Sequence, residues 1–91
     1  MEKIEVELYS DAINSPVLRI PTRNFPGILI QGDSLSILAD LASEIVDQLA
    51  AGDISEATDA AEELKQNVLN RIVIYERALK EHGMKLPYAK R

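Results

Sequence analysis

The chain has no cysteine, a single histidine, and only four aromatic residues, Tyr9, Phe25, Tyr75 and Tyr88. Without cysteine there are no disulfides, no thiolate metal ligands and no cysteine nucleophile. With so few rings the core has to be aliphatic. Long apolar runs are missing too: none approaches the roughly 18 residues of a membrane span. The start, Met-Glu-Lys-Ile-Glu-Val-Glu, is polar and alternating, which is not the pattern of a signal peptide. The cytoplasm is the expected compartment.

What is present is ordinary globular usage, 46% hydrophobic and 27% charged residues in 91, enough for one folded domain with a thin stability margin. Association with a partner or with itself would widen that margin. The net charge is -5, which disfavours nonspecific binding to nucleic acid or to anionic membranes. The layout is more telling than the total. Residues 34–66 hold eight acids and one base, whereas residues 67–91 hold two acids and six bases.

Ile4, Val6 and Leu8 alternate with Glu5, Glu7 and Tyr9, predicting a strand over about 3–9 with its aliphatic face buried. Asp11 to Pro16 reads as a loop. Val17 to Ile20 reads as a second strand stopped by Pro21. Phe25-Pro26-Gly27-Ile28 fits a type II turn, with glycine where φ must be positive, and a third strand is expected over about 28–31. Asp33 or Ser34 then caps a helix over about 34–51, with Leu35, Leu38, Ala42, Ile45, Val46 and Leu49 as its apolar stripe. Gly52 ends it. Asp53 and Glu56 resemble a capping box for a second helix over about 54–82, striped by Ala57, Ala61, Leu64, Val68, Ile72, Tyr75 and Leu79.

The short link makes the helices antiparallel neighbours. The expected fold is therefore α+β, a three-stranded antiparallel meander packed on an αα-hairpin. It forms a single domain over residues 1–83, followed by a basic tail over 84–91 in which Leu86-Pro87-Tyr88 could dock. At about 1.5 Å per residue the helices are about 27 and 43 Å long, so the second overhangs the first. Its far half is apolar on more than one face, since Ile74 lies about 200° round from Ile72. Either the sheet covers this half, or Leu69, Val73 and Ile74 form an oligomer interface, or both.

The candidate chemistry is sparse. His82 stands at a helix end without the partners that acid–base or metal chemistry needs, and is read as an exposed capping residue. Asp40, Glu44 and Asp47 share one helical stripe, and Glu56, Asp59 and Glu63 another; Asp47 and Glu56 should approach at the turn. No calcium-loop spacing and no Glu-x-x-His pair occurs. The bland reading is a solvated acidic face. The functional reading is a docking surface for a basic partner, built on Asp47, Asp53, Glu56 and Asp59. Gly32-Asp33-Ser34 lacks the glycine-rich spelling of a phosphate loop, and Asp33 would repel an anion. Arg19 and Arg23 flank the Pro21 turn; they either bridge to Asp33 or the acidic N-terminal strand, or contact an anionic ligand or partner. Phe25 is either a core plug or an exposed anchor. No serine–histidine–aspartate arrangement can be built, so the chain is not expected to be an enzyme, and no cofactor is expected.

The central spelling is the most specific part of the chain. Arg19-x-Pro21-x-Arg23-x-Phe25-Pro26-Gly27, then Gln31-Gly32-Asp33-Ser34-Leu35, with Glu7-Leu-Tyr-Ser-Asp11 upstream, resembles a small, functionally uncharacterised bacterial family. The resemblance covers about a third of the chain. It implies a bacterial source and a compact α+β domain, and no activity. Two functional expectations stand. One is a noncatalytic protein-binding module of immunity or antitoxin type, with its acidic hairpin on a basic protein. The other is a homo-oligomeric (simplest, homodimeric) small-molecule sensor or accessory subunit, with its ligand at the Arg19–Gly27 loop.

Overall fold

The computed structural model describes residues 1–12 and 14–90. Of the loop expected over 11–16, Ile13 lies outside the described residues, as does Arg91 of the tail. The elements are β1 (Glu7–Ser10), β2 (Val17–Arg19), β3 (Gly27–Ile28), α1 (Gly32–Ala50) and α2 (Ile54–Glu81). The strands form one antiparallel sheet in the order β1-β2-β3, and α1 packs on α2. The class is the α+β fold expected.

The chain divides into two compact units. Met1–Ile30 and Arg71–Arg91 form one, and Gln31–Asn70 the other.

In the first unit, Val17 of β2 packs with Tyr75, Ala78 and Leu79 of α2. Val17 and Leu79 are fully buried, each contributing about 2 kcal/mol by removal from water. Tyr9, Ile28, Ile74, Met84 and Leu86 close around them. The sheet thus covers the far part of α2, and Ile74 has part of its surface already taken.

The register of β1 departs from the alternation. Glu7 faces Arg19 and Leu8 faces Leu18, then the pairing slips so that Ser10 faces Val17. Tyr9 sits at this bulge and turns to the core, its ring 4.8 Å from that of His82. Leu8 is consequently on the open side, 57% exposed, and Ile4 and Val6 precede the ladder, also exposed. The expected burial of Ile4, Val6 and Leu8 does not occur, because side chains alternate faces and the large ring takes the covered one.

The type II turn at Phe25–Ile28 is also replaced. Gly27 pairs with Leu18 in the sheet, and positive φ among the glycines is confined to Gly52 and Gly83. The turn falls earlier, with the Arg23 N–H donating to the Ile20 carbonyl at 3.0 Å and Pro21 in the second position, where its fixed φ suits a turn.

In the second unit α1 begins at Gly32, two residues before the expected start, with Gln31 at the N-cap and no side-chain capping bond. The Asp33 carboxylate instead accepts from the Ser34 N–H at 2.8 Å. The hairpin link is tightly made. The N–H of Asp53 donates to Gln48 O at 2.9 Å and that of Gly52 to Leu49 O at 3.1 Å, the paired bonds of a Schellman stop. Asp53 then caps α2, its Oδ1 accepting the Glu56 N–H at 3.0 Å. The same stop recurs after α2, where Met84 donates to Leu79 O and Gly83 to Lys80 O.

The seam between the helices is narrow. The least exposed positions are Ser34, Leu38, Leu41, Ile45 and Gln48 on α1, and Ala57, Ala60, Ala61, Leu64 and Asn67 on α2. Three alanines on one side let the backbones approach closely. Leu35, Val46, Leu49 and Val68, expected inside, remain exposed. One neighbouring helix covers an arc of only about 100°, and the apolar arc of α1 is nearly twice that wide.

Candidate protein-binding surfaces

Three surfaces carry the residues singled out from the sequence. The first is the arginine loop. Strand pairing sets Arg19 directly opposite Glu7. Its guanidinium binds the Glu7 carboxylate at 2.6 Å, donates to Asn24 O at 3.3 Å, and lies 5.8 Å from the Tyr9 ring centre. Arg19 is therefore held by the fold, and its partner is the N-terminal strand rather than Asp33. Arg23 is exposed and makes no ion pair among the described residues.

Arg23 and Phe25 border an open groove of about 360 Å³ beside β3, with Leu18, Ile20, Pro26 and Leu29 supplying most of its walls. Phe25 is 43% exposed and forms part of this wall. Pro26 is buried, and its carbonyl accepts from the Tyr75 hydroxyl at 2.7 Å. Burial raises the Tyr75 pKa above its ordinary value, since the phenolate would lose hydration.

The second surface is the acidic side of the hairpin. Asp47, Asp53, Glu56 and Asp59 are all exposed, and none joins an ion pair among the described residues. Asp53 is bound into the link as described; the other three carboxylates are not. Among the described residues no group of three or more histidine, cysteine, aspartate or glutamate side chains could hold a metal ion. His82 donates from Nδ1 to the Ala78 carbonyl of α2 at 2.9 Å, since a carbonyl oxygen can only accept.

The third surface was not foreseen in full. Leu69 and Val73 are exposed, and further apolar exposure lies on the hairpin at Leu35, Ile37, Val46, Leu49 and Ile54. The signal was the width of the α1 apolar arc, too great for one neighbour. The tail docks rather than trailing: Leu86 packs on the core, and the Tyr88 hydroxyl donates to Glu76 at 3.0 Å. No helix among the described residues is long and apolar enough to cross a membrane.

Neither the curated proteins nor the solved structures include a match to this chain. A family model does match, over residues 1–88, nearly the whole length. The chain therefore belongs to the family described as "Family of unknown function (DUF6959)".

Proposed function

We propose that this protein is a noncatalytic protein-binding module whose acidic hairpin docks on a basic partner. The observation that carries the reading is the segregation of charge. Eight of the fifteen acids fall within residues 34–66 with a single base among them, and the carboxylates of Asp47, Glu56 and Asp59 are exposed and unpaired among the described residues. Such a field accelerates encounter with a basic surface and selects against acidic ones. A small acidic chain that masks a basic surface acts as an inhibitor of immunity or antitoxin type. The test is capture from native lysate at low salt. A basic protein that is released by salt, and that the Asp47→Lys/Glu56→Lys/Asp59→Lys variant no longer retains, supports the reading. Equal retention by that variant sinks it.

A second reading has its own observation. The groove beside β3 has the volume of a small-ligand site, is mostly apolar, and has Arg23 at its edge. An apolar carboxylate would suit it, as in a sensor or accessory subunit. Thermal-shift screening of such compounds, with Arg23→Ala as the control, tests it: a shift that survives Arg23→Ala counts against the carboxylate contact.

A further inference from the structure

The two faces of the hairpin differ in kind. With Leu35 as the angular origin of α1, Ala39, Ala42, Val46 and Leu49 all fall within about 40° of it at about 100° per residue. With Ile54 as the origin of α2, Ala61 and Val68 fall within the same limits. In each helix this arc lies about 100° round from the seam, in the same rotational sense. Because the helices are antiparallel, the two arcs open on the same side of the hairpin. Val46 is 65% exposed, and Leu35, Leu49 and Ile54 are each more than half exposed. No acid lies within the two arcs, whose only charge is Lys65; Glu62 stands at their edge, about 80° round from Ile54. The opposite side carries Asp40, Glu44, Glu56, Asp59 and Glu63.

We propose that two copies of this chain associate through the apolar side of the hairpin, forming a four-helix bundle from two hairpins. Area and charge identify the occupant. Leu35, Val46, Leu49, Ile54 and Val68, exposed by 44 to 65%, together with the alanines of the two arcs offer on the order of 500 Å². A standard interface of ~800 Å² per partner, about two-thirds apolar, needs just over 500 Å². A second copy supplies a matching apolar face, and a two-fold axis makes the contact self-complementary. The acids, which would repel between identical chains, lie outside the contact arcs, with Glu62 at the rim where its charge stays solvated. The need is physical as well: among residues 31–70 only Leu41, Ala57 and Ala60 are buried, and one layer of two helices cannot enclose a core. The bundle is the second layer. This association uses the side opposite the acidic docking surface, so it stands or falls separately from the function proposed above.

The test uses the full chain and its lack of cysteine. Light scattering of the wild type at about 100 μM should give twice the 10.1 kDa of one chain. Val46→Glu, at a position already exposed in the single chain, should raise the dimer dissociation constant at least tenfold while circular dichroism still shows the helices. As the second measurement, Val46→Cys should be shielded from a thiol-reactive label at dimer-forming concentration and Asp40→Cys, on the acidic side, should label freely. A monomer at that concentration overturns the proposal, as does a dimer indifferent to Val46→Glu, or equal labelling at both cysteines.

Discussion

The Tyr75 hydroxyl donates a 2.7 Å hydrogen bond to the Pro26 carbonyl, across 49 positions of sequence. It ties the Phe25-Pro26-Gly27 segment to α2 at a site closed to water, and so sets where β3 begins. Tyr75→Phe leaves a buried carbonyl without its donor, and should cost about 1–2 kcal/mol in urea unfolding.

The same bond has a pH signature. The folded Tyr75 pKa is raised above the ordinary 10.0 by burial. The folded state thus favours the neutral phenol. Its contribution is complete below the unfolded pKa and is lost as pH rises from there through the folded value. Stability should decline above pH 10, and Tyr75→Phe should flatten that alkaline limb. An unchanged limb in the variant would assign the decline to other groups.

Two glycines should separate cleanly. Gly52 has φ +78°, and a Cβ added there would meet nothing within 4 Å. Gly52→Ala should therefore lose about 1–2 kcal/mol from backbone conformation alone, with Gly52→Asn losing less. Gly27 is also open to a Cβ but adopts strand geometry, so Gly27→Ala should stay within about 0.5 kcal/mol. Chemical denaturation of the three variants decides it.

Asp53 differs from its acidic neighbours. It accepts the Glu56 N–H as the N-cap of α2, so Asp53→Ala should destabilise by about 1 kcal/mol. Asp59→Ala, at an exposed helical site, should stay within about 0.5 kcal/mol. Melting curves of both give the comparison, and explain why charge reversal for partner binding is best placed at Asp47, Glu56 and Asp59.

Arg19 and Glu7 face each other across β1 and β2 at 2.6 Å, with the Glu7 side chain 59% exposed. A double-mutant cycle with Arg19→Ala and Glu7→Ala should yield a coupling of about 0.5 kcal/mol that shrinks with added salt. A coupling well above that, insensitive to salt, would mark a pair shielded from solvent.

The helices were legible because their signals are local. Three- and four-residue spacing marks an apolar face, glycine marks each stop, and Asp53 with Glu56 marks the new start; the helix ends fall within two residues of those expected. The acidic face was legible for the same reason, as charges in a solvated helix follow its period. The sheet was legible only in outline. Alternation in Ile4, Val6 and Leu8 shows that the two faces differ, yet a single bulge at Tyr9 decides which face is covered. Pro26-Gly27 is as compatible with a strand edge as with a turn, and the bond from Tyr75 selects between them.

By itself, then, the sequence determined the element types, their order, the antiparallel hairpin and the separation of charge, all of which depend on residues within a few positions of one another. Tertiary structure alone decided that Arg19 pairs with Glu7, that Tyr9 displaces Leu8 from the core, and that only part of the apolar arc of α1 meets α2. Periodicity states that a surface is apolar; only neighbours distant in the chain determine which part of it is withdrawn from water.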